Sequence, residues 1–337
     1  MPKKIIAIFY AVLAAVFYAV NMPFSKTLLQ AVPPTLLASL LYFGAGFGIG
    51  LIYLASQLKN CPGGQQNLTR EDLPYTLGMI VLDIIAPILL MFGLAHTTSA
   101  NASLLNNFEI VATSLIALLI FKEAISARLW RAILLVTLSS LILSFEDLSS
   151  LTFSWGSLLV LLAACCWGLE NNCTRQLAAK NTYEIVMLKG LGSGMGSLLI
   201  SLALGEAMPS LKYILLALTL GFVAYGLSIF FYIKAQNVLG AAKTSAYYAI
   251  APFIGAFLSF VFLQEALTLN YLLALLLMLA GSALIAVDTL TTSHTHKHTH
   301  TVRYWQNGVQ FSKIIEHSHS HSHLLQIDKH LHKHTAI

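Results

Sequence analysis

Residues 13–26 read LAAVFYAVNMPFSK, and residues 162–175 read LAACCWGLENNCTR. Aligned, both open on Leu-Ala-Ala. Tyr18 then falls opposite Trp167, Ala19 opposite Gly168, Asn21 opposite Glu170, Ser25 opposite Thr174 and Lys26 opposite Arg175. A second pair of segments keeps the same order: LLIFKEAI closes at Ile125 and FVFLQEAL at Leu267, with Glu123 opposite Glu265. The copies lie 142–149 residues apart, a length that holds five membrane spans. An odd number of spans per copy forces the two copies into opposite orientation. Inverted repeats of this kind are a carrier architecture, with the substrate site near the bilayer midplane between the halves.

Composition sets the solvent. Charged residues make up only 10% of the 337-residue chain and apolar ones 57%, with mean hydropathy +0.75. Soluble domains run near about 25% charged, and here the polar residues are concentrated in the last 47 positions. The remainder cannot hide its apolar surface in one core, so lipid has to cover it. Stretches approaching the ~20 apolar residues that cross the hydrocarbon lie at 5–24, 34–57, 73–95, 99–121, 128–146, 153–172, 183–205, 211–234, 241–263 and 267–288. This predicts an all-α integral membrane protein of about ten transmembrane helices, arranged as five-helix repeats over 5–146 and 153–288, with a tail over 291–337. With the N-terminus inside, eleven Lys and Arg residues fall in inside positions against Lys26 and Lys212 outside. That asymmetry places both termini in the cytoplasm and the chain in the cell membrane. Lys3-Lys4 ahead of an apolar run resembles a signal peptide, but the same sequence recurs mid-chain, where no signal peptide can be.

The basic residues are scattered, which excludes a nucleic-acid surface. Cys165, Cys166 and Cys173 lie in one apolar stretch and Cys61 beside Pro62, a distribution that reads as reduced thiols and not as a disulfide framework. No Walker A, HExxH or GxSxG pattern is present, so neither an ATPase nor a membrane-embedded hydrolase is expected.

The segment LAAVFYAVNMPFSK with the following Val32 to Pro34, and the segment LGAAKTSAYYAIAPFIGAFLSFVFLQEAL from Leu239 to Leu267, resemble the two signature regions of EamA-type transporters of the drug/metabolite transporter superfamily. The resemblance spans residues 5–288. It implies a ten-helix inverted-repeat carrier of metabolites, amino acids or drugs, often an exporter, with a central cavity. The substrate is not implied.

Charges at mid-bilayer are costly and mark function by default. Asp83 sits at the centre of the third span, four residues before Pro87, and Glu109 at the centre of the fourth. Asn106, Glu109 and Thr113, at i, i+3 and i+7, form one polar stripe. Each carboxylate either binds a proton or a cationic substrate, or simply ties helices together. The repeat-mate of Glu109 is Ala251 and that of Asp83 lies near Gly226, so both carboxylates break the pseudo-symmetry. Asn21 and Glu170 occupy equivalent repeat positions; they line a gate or cavity, or else sit in the interface. Pro23 is placed to break the first helix. Trp167 and Tyr248 are the leading cavity aromatics, ahead of Tyr18, Tyr225, Tyr232 and Tyr247. Lys189 is expected to snorkel to the cytoplasmic interface, with a salt bridge to Glu170 or a substrate carboxylate as the alternative. The glycine runs 44–50 and 190–196 read as close helix packing. His96 receives no role.

Eleven of the twelve histidines follow residue 293. They alternate with Thr or Ser at His294, His296, His298 and His300 and at His317, His319, His321 and His323, a low-complexity pattern expected to be disordered. Imidazoles suit Zn, Ni or Co; metal buffering, a metal-regulated gate and a neutral tail remain open. No other cofactor is expected. The leading reading is a gradient-driven carrier exporting a small organic solute, with the lipid bilayer as its surroundings and a homodimer left open. The alternative is transition-metal efflux with the tail as collector, although the spans lack His/Asp ligand pairs at helical spacing.

Overall fold

The computed structural model describes residues 3–58, 66–122, 125–147, 152–177, 180–239, 244, 247–290, 292–306 and 309–323. It divides into two units, Met1–Ala286 and Val287–Ile337.

The first unit is helical because a backbone in lipid must satisfy its own N–H and C=O groups. Its helices are α1 Lys3–Ala19, α2 Asn21–Leu28, α3 Pro34–Leu58, α4 Leu73–His96, α5 Ser99–Leu105, α6 Phe108–Phe121, α7 Ala127–Ser144, α8 Trp155–Leu177, α9 Thr182–Ala203, α10 Leu211–Gly221, α11 Ser228–Leu239, α12 Ala251–Leu263 and α13 Leu269–Leu290. A π-helical segment, Phe222–Leu227, joins α10 to α11. Among the described residues, eight helical stretches are long and apolar enough to cross a membrane, with α1–α2, α5–α6 and α10–α11 each counting as one. Of the two other expected spans, α8 carries Glu170, Asn171, Asn172 and Arg175 in its second half, and α12 has only 13 residues. The expected 241–263 span has a turn at Ala249–Ile250, while residues 240–243 and 245–246 lie outside the described set.

Small residues fill the inner face of α1, and many large apolar residues of the bundle face outward. Ala7, Ala11, Ala14 and Ala15 of α1 are buried, whereas Phe9, Leu51, Leu119, Leu199 and Leu276 are exposed. Small residues inward and large apolar residues outward suit helices whose outer solvent is lipid.

The duplication is visible in backbone irregularities. The break between α5 and α6 falls at Asn106–Asn107, and the turn ahead of α12 at Ala249–Ile250, 143 residues later. α6 ends on Lys122 at φ 54° and α12 on Gln264 at φ 51°, 142 residues apart. A left-handed non-glycine residue costs about 1–2 kcal/mol, so its recurrence at matching positions reflects a shared local fold. Glu123 lies outside the described residues. The halves are joined by a short antiparallel ladder between β1, Phe145–Asp147, and β2, Thr152–Phe153.

Glycines let α3 lie close to two neighbours. A Cβ on Gly44 would stand 2.0 Å from the Leu218 carbonyl oxygen of α10, and one on Gly221 would stand 2.0 Å from the Leu41 carbonyl oxygen. A Cβ on Gly190 of α9 would stand 2.4 Å from the Gly46 nitrogen. Helix ends are closed by charges brought from elsewhere in the chain. Lys26 Nζ donates to the Leu94 and Thr97 carbonyls at the end of α4, at 2.6 and 2.8 Å. Glu206 accepts from the Leu36 N–H at 2.8 Å, and Glu265 from the Ser99 and Ala100 N–H groups at 2.7 and 2.8 Å.

The tail differs from expectation. Where the sequence reading has disorder, β3 Thr292–Gln306 pairs antiparallel with β4 Val309–His323, from Thr292↔His323 to Gln306↔Val309. The physical reason is a period-two pattern rich in Thr, Val, Ile and aromatics. It surrounds Asn307-Gly308, the dipeptide favoured between two-residue hairpin strands.

Gly44→Ala and Gly190→Ala are each expected to destabilise the bundle by about 1–3 kcal/mol through overpacking. Gly50→Ala, whose Cβ would meet only the Met187 side chain, at 3.6 Å from its sulfur and 3.9 Å from its Cγ, should be tolerated. Thermal unfolding of the three purified variants in detergent checks the order.

Candidate functional site

The polar positions singled out along the chain converge on one another. Asp83 is fully buried on α4. Pro87, four residues on, has no N–H to donate back to the Asp83 carbonyl, so the helix ladder is interrupted there. Asp83 Oδ1 accepts from the Tyr42 hydroxyl at 2.9 Å and from the Trp167 indole Nε1 at 3.2 Å. Asp83 Oδ2 lies 3.0 Å from Lys189 Nζ, which is also 3.1 Å from Glu170 Oε1. The Thr174 hydroxyl donates to that same Glu170 oxygen from one turn further along α8. Four helices, α3, α4, α8 and α9, therefore meet on three charges.

One expectation is corrected here. Lys189 does not snorkel to the interface: its side chain is 12% exposed and bridges two carboxylates. It stands about two turns into α9, whose first residue is Thr182, so buried anions are nearer to it than water. Asn21 and Glu170 are buried in the bundle, at 0% and 2% exposed. α1 gives way to α2 at Val20, and Pro23 occupies the first turn of α2, where its missing N–H costs least.

A second cluster adjoins the first. Glu109, in the first turn of α6, accepts from Asn171 Nδ2 at 2.6 Å, and the same amide lies 3.4 Å from the Thr113 hydroxyl. The expected stripe is thus split: Glu109 and Thr113 face α8, while Asn106, ahead of the helix break, donates to the Tyr18 hydroxyl at 3.1 Å. Among the described residues no donor reaches the buried Asn106 Oδ1. Asn21 Nδ2 donates to the Tyr225 hydroxyl at 3.1 Å, and Ser25 donates to Asn21 Oδ1 at 3.0 Å. Tyr225 sits inside the π-helical segment, a device common at functional sites. Its ring is 5.2 Å from Tyr42 and 6.1 Å from Tyr18, and Tyr18 is 5.9 Å from Tyr248. Tyr248 is 5.1 Å from Tyr232.

All seven cavity and coupling candidates, Asp83, Glu109, Asn106, Asn21, Glu170, Trp167 and Tyr248, fall within this connected region. Sequence reasoning missed Tyr42 and the pairing of Asn171 with Glu109. For Tyr42, a polar-tipped aromatic beside the glycine run of a closely packed span was the available signal. Among the described residues no three His, Cys, Asp or Glu side chains gather as a metal site. The side chains of the tail histidines lie outside the described residues.

The halves that build this region match one family twice: the EamA-like transporter family, over residues 5–145 and again over 154–287. The chain belongs to that family. An uncharacterized transporter of Methanothermobacter thermautotrophicus is 26% identical over 285 residues, 80% of this chain and 82% of that protein. The uncharacterized transporter YyaM of Bacillus subtilis is 23% identical over 181 residues, 51% of this chain and 59% of that one. A solved crystal structure superposes at TM-score 0.60 with 18% identity, covering 82% of this chain and 94% of the other, and speaks for the fold alone. This EamA-like chain is a multi-span membrane transporter, as the resemblance in its signature segments implies.

Removing one member of a buried ion pair strands the other charge at a cost of about 3–5 kcal/mol. Lys189→Met should therefore lower stability sharply. Asp83→Asn together with Lys189→Met should cost less than the sum of the two single changes. Unfolding midpoints of the four proteins form the double-mutant cycle that checks this.

Proposed function

We propose that this transporter is a gradient-driven carrier that exports a small organic solute, the solute binding where the two halves meet. One observation carries the reading. A buried, charged and tyrosine-rich network draws Tyr18, Asn21, Tyr42, Asp83 and Glu109 from residues 5–145, and Trp167, Glu170, Lys189, Tyr225 and Tyr248 from residues 154–287. Polar groups so costly at membrane depth are retained where a solute or ion has to cross.

The arrangement we infer has ten spans, with α8 and α12 and its preceding turn completing the eight apolar stretches. The two five-helix repeats, 5–146 and 153–288, run in opposite orientation, with both termini in the cytoplasm of a cell-membrane protein and residues 291–337 as a cytoplasmic tail. The matching helix breaks and left-handed caps support the repeat, and the distribution of Lys and Arg supports the orientation. The sequence carries no Walker A pattern, and the driving force in this reading is an ion or solute gradient. The carboxylates Asp83 and Glu109 are the proposed coupling groups, taking up a proton in one direction and releasing it in the other.

The test is uptake of an amino-acid, metabolite and divalent-metal panel into inside-out vesicles with an acidic lumen, read by mass spectrometry against vesicles lacking the protein. Protein-dependent accumulation of an organic solute is expected. Accumulation of zinc, nickel or cobalt alone would overturn the reading. Asp83→Asn combined with Glu109→Gln should abolish accumulation driven by the pH gradient; unchanged accumulation would remove both carboxylates from the coupling scheme.

A further inference from the structure

Within the second unit, β3 and β4 keep one unbroken antiparallel register, so each β3 residue has a fixed partner. His294 stands opposite His321, His296 opposite His319 and His298 opposite His317. Successive positions of a strand alternate between its two faces, and directly opposed positions of an antiparallel pair share a face. The histidines recur with period two on both strands. His294, His296, His298 and His300 therefore belong to one face of the ribbon, together with His317, His319, His321 and His323. Lys297 and Glu316, the charged residues of the same stretches, belong to the other face, with Thr295, Thr299, Ser318 and Ser320.

This placement is suited to a metal ion. Opposed positions of an antiparallel ladder have Cβ atoms about 4.5–5.5 Å apart, and rungs on one face follow at about 7 Å. Zinc holds imidazole nitrogens at about 2.0–2.1 Å and takes four ligands. One rung can supply two of them, and the next rung can complete the set. Apart from Thr292 and Ile315, the histidine face of residues 292–300 and 315–323 carries imidazole alone. Imidazole suits zinc, nickel and copper, whereas calcium and magnesium take oxygen ligands. The three rungs lie at the end of the ribbon farthest from the Asn307-Gly308 sequence. An ion held there would clasp the two strands at their open end.

We infer that the three cross-strand histidine pairs of the β3–β4 ribbon form a binding site for a divalent transition-metal ion of the zinc type, adjacent pairs together supplying its ligands. The site lies wholly within the unit Val287–Ile337 and is independent of the carrier reading. The register adds a requirement that composition lacks. An unstructured histidine-rich chain would hold such ions whichever histidines it kept, whereas the ribbon needs them at opposed positions.

The test measures Zn2+ binding by calorimetry on the purified full-length protein in lipid nanodiscs, with Ca2+ as the oxygen-seeking control. Two variants of equal histidine content are compared, both carrying His330→Ser, His332→Ser and His334→Ser. The paired variant adds His294→Thr, His300→Thr, His321→Thr and His323→Thr, which leaves two complete rungs, His296 with His319 and His298 with His317. The unpaired variant adds His294→Thr, His296→Thr, His317→Thr and His319→Thr, which leaves His298, His300, His321 and His323 and no complete rung. Each variant keeps one His-x-His on each strand, separated by nearly the same length of chain, so loop-closure entropy hardly distinguishes them. The paired variant should bind Zn2+ about tenfold or more tighter, because only there are the ligands preorganised opposite one another. Equal affinity of the two variants for Zn2+, or no binding by the paired one, would overturn the inference. So would Ca2+ binding to the unmodified protein as tightly as Zn2+.

Discussion

The Lys189 ammonium, held 3.0 Å from Asp83 and 3.1 Å from Glu170 with almost no access to water, constrains everything packed around it. Three desolvated charges in an apolar bundle are tolerable only while each keeps its partners. That requirement fixes α9 against α4 and α8, and the Tyr42 and Trp167 donors to Asp83 then orient α3 and α8 on the same point. The glycine contacts serve the same end. α3 can bring Tyr42 to Asp83 only because Gly44 and Gly46 admit the backbones of α10 and α9.

Away from this point the bundle is closed at both ends of α4 by polar ties. At its C-terminal end Lys26 holds the last carbonyls and Glu265 caps the following α5. At its N-terminal end Asp72 pairs with Lys180 at 3.0 Å, and the Leu68 N–H donates to Glu184 at 3.0 Å. Both the Asp72 and the Glu265 ties connect one half of the chain to the other. The Asp72–Lys180 pair is partly exposed, with side-chain exposures of 14% and 17%, and a pair near the surface is worth about 0–1 kcal/mol, against several for the buried centre.

Much of the membrane unit was legible before any coordinates. Apart from 241–263, where α12 begins only at Ala251, the apolar runs anticipate the helices to within about a turn, because lipid leaves a hydrophobic stretch of that length few alternatives. Asp83 and Glu109 stood out because a charge amid Leu and Ile is anomalous in one dimension. Their partners did not. Tyr42 is an ordinary residue of an aromatic-rich span, and its pairing with Asp83 joins positions 41 residues apart. Lys189 was misread because its distance from the helix start permits snorkelling, and only packing decides between the interface and two buried anions. The tail hairpin was missed for the opposite reason: attention to histidine composition concealed a strand pattern around Asn307-Gly308 that local turn chemistry could have revealed.

Duplication explains the scaffold and departures from it explain the chemistry. The helix breaks at Asn106–Asn107 and Ala249–Ile250 and the left-handed caps at Lys122 and Gln264 recur because both halves solve the same folding problem. The charged groups do not recur. Glu109 corresponds to Ala251, Asp83 to a position near Gly226, and Glu170 to Asn21, which donates to Tyr225 and holds no cation. A symmetric set would place like charges on both halves and repel them across the midplane at a cost no neighbouring lysine offsets. Confining the carboxylates to α4, α6 and α8 lets one lysine neutralise two of them. The third, the partly buried Glu109, accepts instead from the neutral Asn171 amide of α8.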